Sequence, residues 1–306
     1  MSSKEYSVYV NGKFYPKGDA KISVYDHGLL YGDGVFEGIR EYDGVVFQLA
    51  EHVCRLYRSA KAIKLGIPIS MDEMTKATVE TLRVNRLRDA YIRLIVTRGV
   101  GDLGVDPKKC TNSTIIIIAE PIEATYGKEA KENGIRVGFV STRRDVVDST
   151  THEVKSLNYL NSILAKIDAN EAGWDDAIML DHRGYVSETP TANVFMVQGS
   201  DTIATPPVTA GILDGITRRR VMRIGRDVGF NVVEKDMTPF ELMNADEVFL
   251  TGTKAEMVPI VSISGRTIGD GKVGLVTKRL LNEFVRIRKD PSEGISIDTY
   301  KGEKKK

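Results

Sequence analysis

The segment Gly211-Ile-Leu-Asp-Gly215-Ile-Thr217-Arg218 brings a glycine-containing loop onto the start of a helix, an arrangement able to bind phosphate. The N–H groups of a first helical turn point outward, the helix end carries partial positive charge, and the Thr217 hydroxyl adds a donor. Taken alone, Thr217 is better read as a plain helix cap. A second stretch, Tyr31-Gly-Asp-Gly-Val-Phe-Glu-Gly-Ile-Arg40, sets glycines into a segment that otherwise reads as a strand. Gly32 and Gly34 permit a sharp turn, and Gly38 leaves room for something to approach the backbone. In Tyr91-Ile-Arg93, strand alternation puts both polar side chains on one face. Other groups acquire chemistry only in company. By themselves Lys155 is a surface charge, Glu188 a turn carboxylate, and Arg55 a solvated helix arginine.

These groups need a scaffold. Asn11-Gly12 between residues 6–10 and 13–15 predicts a hairpin, and Asp43-Gly44 predicts a second between 36–42 and 45–49. Val53, Leu56, Ala60 and Ile63 have helical spacing across 50–65, with Gly66 as a C-cap. Ser70 with Glu73 three residues on predicts a capped helix over 72–82. Residues 90–97 and 114–120 read as strands, and 121–134 as a polar connector. Further on, 136–141, 177–180, 194–197 and 248–250 read as strands. Helices are predicted over 157–172, with Leu157, Leu160, Leu164 and Ile167 on one face, over 217–228 with Gly229 at its end, and over 273–288. This interleaving is too irregular for a doubly wound sheet. The expected organisation is a small α/β domain over 1–122, a connector over 123–134, a larger domain over 135–288 and a flexible tail over 289–306.

A chain of 306 residues with 42% hydrophobic and 28% charged side chains has the composition of a globular enzyme. Its 43 basic and 42 acidic side chains cancel, which argues against nucleic acid or an anionic membrane as partner. Cys54 and Cys110 are its only cysteines, so a dense disulfide framework is excluded. The opening residues MSSKEYSVYV lack the apolar core of a signal peptide, and the apolar run 115–119 is too short to span a bilayer. A cytoplasmic location is expected, and no metal site.

Residues 31–40 closely resemble the entry strand of class IV pyridoxal-phosphate aminotransferases, specifically the L-branched-chain amino-acid group. Five more segments resemble the same family in the same order: His52-Val-Cys-Arg55-Leu, Lys155-Ser-Leu-Asn-Tyr159-Leu, Gly184-Tyr-Val-Ser187-Glu188, the loop 211–218, and Phe249-Leu-Thr-Gly252-Thr253-Lys-Ala-Glu. Each is a weak to moderate signal; six in order, within a likeness running from Tyr6 to about Arg288, are strong. The resemblance implies a mixed α+β, two-domain fold similar to D-amino-acid aminotransferase.

It also implies residue roles. Lys155 becomes the Schiff-base lysine, Tyr159 helps hold the cofactor ring, and Glu188 salt-bridges the pyridine nitrogen so that the ring stays an electron sink. Arg55 matches the phosphate-clamping arginine, with Leu213, Gly215, Ile216 and Thr217 as the phosphate cup. Gly252 and Thr253 make a turn that reaches the phosphate, and the N–H groups of Thr253 and Lys254 take the substrate α-carboxylate. Tyr31, donated across a dimer interface, lines the substrate pocket with Phe36, Gly38 and Arg40. Tyr91 lies near the α-carboxylate, and Arg93 receives the side-chain carboxylate of glutamate. Four features depart from the family: Thr189-Pro190-Thr191-Ala192 in place of small or glycine-rich residues, Asp214 in place of proline, Lys254 in place of alanine, and no tryptophan at 121–124. All bear on substrate fit, and Asp214 is expected to point away from the anion.

The expected activity is transfer of the amino group of L-leucine, isoleucine or valine to 2-oxoglutarate, by a homodimer or higher homo-oligomer. D-amino-acid transaminase and aminodeoxychorismate lyase share the fold, but Phe36-Glu-Gly-Ile-Arg40 argues against both. A catalytically idle oligomeric binding protein is the alternative from another class. Retention of Lys155, Glu188, Arg55, Thr217 and Thr253 together argues against that decay.

Overall fold

The computed structural model describes residues 5–122, 126–199 and 201–302. Part of the expected connector, 123–125, and the terminal lysine triplet lie outside the described residues. In chain order the elements are β1 (Ser7–Val10), β2 (Lys13–Pro16), α1 (His27–Tyr31), β3 (Gly34–Tyr42), β4 (Val45–Phe47), α2 (Leu49–Ala62), α3 (Met71–Asn85), β5 (Ala90–Thr97) and β6 (Thr114–Pro121). Next come α4 (Lys128–Asn133), β7 (Ile135–Phe139), α5 (Leu160–Glu171), β8 (Asp176–Ile178), β9 (Asn193–Gln198), β10 (Thr202–Thr205), α6 (Ile216–Asp227) and β11 (Asn231–Glu234). The chain finishes with α7 (Pro239–Met243), β12 (Glu247–Gly252), β13 (Glu256–Ile263), β14 (Arg266–Thr267), α8 (Leu275–Ile287) and β15 (Gly294–Ser296). Two compact units result. The first gathers Met1–Glu123, Val154–Asn158 and Ile287–Lys306; the second gathers Ala124–Glu153 and Tyr159–Arg286.

In the first unit the strands run in the order β15-β4-β3-β5-β6-β1-β2, each pair antiparallel. Alternation turns Val35 and Ile39 of β3, with Ile92 and Leu94 of β5, into a core that also holds Leu49, Val53 and Leu56 of α2 and Met74 and Leu82 of α3. Each such side chain contributes roughly 1.5–3 kcal/mol by leaving water. The predicted capping box is present: the Ser70 hydroxyl accepts from the Glu73 N–H, and the Glu73 carboxylate accepts from the Ser70 N–H. The second unit has the order β11-β10-β9-β12-β13-β7-β8, with β14 paired to β13. Its core joins Val194 and Met196 to Val248, Leu250, Val258 and Ile260.

Three expectations need correction. Helix α2 stops at Ala62, and Lys64 takes the left-handed conformation expected for Gly66. Arg98 donates to the carbonyls of Ile63 (2.8 Å) and Lys64 (2.7 Å), so a side chain from a neighbouring loop caps this helix end. Helix α5 begins at Leu160, not at 157, and its apolar face points outward, with Leu160 66%, Leu164 45% and Ile167 45% exposed. Its buried face is Ser162, Ala165 and Ala169, small enough for close approach. The stretch after residue 289, expected to be a tail, forms β15 on the edge of the first sheet. Ile297 is buried there, its carbonyl accepts from Arg83 Nε at 2.9 Å, and its N–H donates to the Gly44 carbonyl at 2.8 Å. Among the described residues no helix is long and apolar enough to cross a membrane.

The sequence reading missed this C-terminal strap because its apolar residues are few: Ile297 is buried, and Ile295 and Tyr300 are partly buried against the same core. Ile297→Ala should destabilise the protein by roughly 2–5 kcal/mol through transfer and cavity terms. Urea unfolding measures it; a change under about 0.5 kcal/mol, the ordinary surface value, would return the strap to the status of a loose tail.

Candidate active site

The first unit presents one functional face. Phe36, Gly38, Arg40 and Tyr42 alternate outward along β3, and the register opposes Gly38 to Arg93 and Arg40 to Tyr91 on β5. The Arg93 guanidinium lies 4.5 Å from the centre of the Phe36 ring and donates to the Tyr91 hydroxyl at 3.2 Å. Lys155 Nζ stands 4.6 Å from the same ring centre. The lysine is positioned by its backbone: its carbonyl accepts from the Phe36 N–H at 3.0 Å, and the Leu157 N–H donates to the Gly34 carbonyl at 3.0 Å. The segment thus extends β3 at the end that β4 leaves open. Gly38 is required by the same packing, since a Cβ there would overlap the Tyr91 hydroxyl.

Arg40 is stacked on the Tyr42 ring, 4.4 Å from its centre, and Tyr31, partly exposed, gives its hydroxyl to the Leu103 carbonyl. Arg55 lies on the opposite face of β3, where it makes two bonds to the buried Glu37: Nε at 2.8 Å and Nη2 at 2.7 Å. His52 Nδ1, one turn earlier on α2, is 2.7 Å from the same carboxylate. Burial pushes the Glu37 carboxyl up, but the charge and bonds of Arg55, joined by His52, outweigh it and hold the group at about 2. Burial pushes the His52 imidazole down; Glu37 opposes this, and the charges of Arg55 and Lys155 reinforce it.

The second unit centres on Glu188. One carboxylate oxygen faces Arg144 Nη2 at 3.0 Å; the other accepts from Asn193 Nδ2 at 2.9 Å and from the Leu213 N–H at 3.2 Å. The Asn193 amide also donates to the Leu213 carbonyl, and a Cβ on Gly215 would overlap its oxygen. Gly215 is the N-cap of α6, with no side-chain cap and no acid in the first turn. Ile216 and buried Thr217 open that helix. Asp214 is turned to Arg219, Nη1 at 3.3 Å, and to Arg218 at 3.9 Å. At the end of β12, Thr251 lies opposite Asn193 with its hydroxyl buried and without a partner among the described residues, just before Gly252, Thr253 and Lys254. Tyr159 precedes α5, its ring centre 6.0 Å from that of His152.

Four groups were missed by the sequence reading: Glu37, Arg144, His152 and Asn193. Glu37 left a signal, because a charge on the inward phase of an apolar strand demands a partner. Arg144, in the loop after β7, left none.

The profile of class IV amino-transferases matches residues 34–263. This chain belongs to the class IV aminotransferases. A Methanocaldococcus jannaschii protein, provisionally named a branched-chain-amino-acid aminotransferase, is 55% identical across 92% of this chain and 96% of its own. The crystal structure of the Escherichia coli branched-chain amino acid aminotransferase superposes with a TM-score of 0.91 at 37% identity, covering 93% of this chain and 95% of that one. The T.th. branched-chain amino acid aminotransferase, complexed with N-(5'-phosphopyridoxyl)-L-glutamate, gives 0.90 at 36% identity over 96% and 99% of the two chains. The residues present suit a phosphorylated pyridine aldehyde. In the first unit an amine rests beside an aromatic face. In the second a buried carboxylate faces a guanidinium at 3.0 Å, a helix N-terminus lacks a side-chain cap, and the strand paired with Asn193 carries an orphaned threonine hydroxyl.

Acid should act through Glu37 and His52. Glu37 binds its proton less readily folded than at its ordinary value of 4.5, so its contribution is complete above that pH and is lost towards about 2. His52 also binds its proton less readily than at 6.5, so its contribution begins to fall below that pH. Thermal midpoints should therefore decline as pH drops from about 7 to about 3, and more shallowly in Glu37→Gln. Parallel declines would remove Glu37 from this role.

Proposed function

We propose that this chain is a pyridoxal-phosphate-dependent transaminase exchanging the amino group between the branched-chain L-amino acids leucine, isoleucine or valine and 2-oxoglutarate. The observation that carries it is the gathering of Lys155, Phe36, Arg93 and Tyr91 on one face of β3 and β5, in a chain of the class IV family. Pyridoxal phosphate, when bound, supplies a ring that accepts the electron pair left when a substrate Cα–H bond breaks. Lys155 Nζ, as a neutral amine, would link to the cofactor's aldehyde carbon with loss of water and, once displaced by the substrate amine, would carry the proton from the substrate α-carbon to that carbon. Glu188 would hold a proton on the ring nitrogen, and Tyr159 would support the ring. The N–H groups at the start of α6, the Thr217 hydroxyl and the Gly252-Thr253 turn would hold the phosphate, with Arg55, bonded to Glu37, adding its charge.

Substrate recognition divides between apolar and cationic groups. Thr253 and Lys254 N–H groups and the Tyr91 hydroxyl take the α-carboxylate shared by all substrates. Phe36, Gly38, Tyr31 and the stem of Arg40 give the wall for a branched side chain, and Arg93 takes the second carboxylate of glutamate. The N-(5'-phosphopyridoxyl)-L-glutamate held by the structural relative supports a dicarboxylic partner substrate. The working form is a homodimer or higher oligomer in the cytoplasm. Support comes from the exposed apolar side chains at helical spacing on α5 and, separately, from Leu29, Leu103 and Val105 near Tyr31.

Lys155→Ala should keep the fold and abolish both the visible absorbance of the linked cofactor and turnover. A mutant that still traps cofactor on one lysine with borohydride would put the linkage elsewhere. Sedimentation at assay concentrations should give a dimer or larger, and a fully active monomer would overturn that assembly. Arg93→Ala should leave the second carboxylate without its cation, a loss of roughly 2–5 kcal/mol for glutamate and far less for leucine. Half-reaction kinetics with each donor separately measure it; equal losses would assign Arg93 to the shared α-carboxylate.

A further inference from the structure

Arg144 is among the most deeply buried side chains of the protein, although it carries a full charge. Its Nη2 reaches Glu188 at 3.0 Å and the Thr189 carbonyl at 2.8 Å. Its Nη1 faces His152 Nε2 at 2.9 Å, Ser162 Oγ at 3.1 Å and Asn161 Oδ1 at 3.2 Å. A guanidinium has only donors and keeps its charge at every accessible pH. A hydrogen bond between them requires His152 Nε2 to accept, so this link forms with the ring neutral and its proton on Nδ1. That N–H points at Asp145 Oδ2, 3.3 Å away. Donors then run in one direction, from His152 to Asp145 and from Arg144 both to His152 and to Glu188.

We infer that Arg144, backed by neutral His152, is the positioning residue that sets the direction and charge of Glu188. This rests on the proposed assignment of Glu188 to the cofactor's ring nitrogen. Removing Arg144 takes a cation from 3.0 Å beside the buried carboxylate, while the neutral donors Asn193 and the Leu213 N–H stay in place. Protonating His152 would set an N–H against the Arg144 N–H at 2.9 Å and break the link. The charged or titratable groups recorded around His152 are Arg144, Asp145 and Tyr159, with Glu188 one step beyond. Sequence inspection would not single out this device, since Arg144 and His152 lie in a loop with no periodic pattern.

Two measurements on the whole chain test it. Nitrogen-15 spectra of labelled histidine in the apoprotein, with the signal assigned by its loss in His152→Gln, should show a neutral Nδ1–H tautomer at about pH 8. Titration of pyridoxal phosphate onto the apoprotein should show Arg144→Lys binding roughly 10–100-fold more weakly, the range typical of lost supporting contacts, with an unchanged circular-dichroism spectrum. His152→Gln keeps an acceptor that takes no proton, so its affinity should fall less steeply on acidification than that of the wild type. His152→Ala, lacking any acceptor, should bind more weakly at every pH. A charged or Nε2–H His152, wild-type affinity in Arg144→Lys, or a wild-type acid profile in His152→Gln would each overturn the inference. Failure of the wild-type apoprotein to take up pyridoxal phosphate would instead sink the proposed function, and the tautomer would still decide the Arg144–His152 link.

Discussion

A carboxylate moved out of water keeps its charge only where cations and hydrogen-bond donors replace its hydration. Glu188 meets that constraint with a cation on one oxygen and two neutral donors on the other. The requirement then propagates, because the buried Arg144 needs acceptors of its own. It finds them on the Thr189 carbonyl, on the first turns of α5 and on His152. One buried negative charge thereby ties the loop after β7, the start of α5 and the strand ends of the second unit into a single polar network. Breaking such a pair by removing one partner costs about 3–5 kcal/mol, far more than a surface ion pair. Glu37 is a second instance in the first unit, where it locks α2 onto β3 through Arg55 and His52.

The glycines follow from the same crowding. At Gly215 a side chain would displace the Asn193 amide, and with it two of the bonds that organise Glu188 and the loop before α6. At Gly38 it would displace the Tyr91 hydroxyl, which is where Arg93 donates. Neither glycine has positive φ. Both positions are dictated by what approaches them, and the need is steric.

That distinction explains what the sequence could disclose. Local signals were legible: the capping box at Ser70, the Asn11-Gly12 hairpin turn and Gly229 after α6 each depend on residues within a few positions. The grouping of Tyr91 with Arg93 followed from alternation alone. Lys155, Glu188 and Thr217 had no local signature strong enough to separate them from ordinary surface and cap residues, and resemblance to a family supplied their roles. What failed or went unread were features whose cause lies far along the chain. The end of α2 is set by Arg98, the tail is held by Arg83 and Gly44, and the apolar stripe of α5 faces outward because its small residues pack inward. Arg144 and His152 were invisible for the same reason, since their partners come from separated segments.

On the proposed function, the Arg93–Phe36 stack bears on how one pocket serves both leucine and glutamate. With its Cζ 4.5 Å from the centre of the Phe36 ring, the Arg93 guanidinium is attracted by the ring while its N–H groups remain donors. With an apolar side chain bound, that stack presents carbon and a weakly hydrated cation face, so little solvation is lost. With a second carboxylate bound, the edge supplies donors in a fork that matches it. Lysine at this position would offer a compact, strongly hydrated charge that must be stripped of water whenever leucine enters. The Tyr91 hydroxyl accepts from Arg93 and occupies the room that Gly38 leaves. Dual specificity then requires no moving element: the same cation is tolerated by one substrate and recruited by the other.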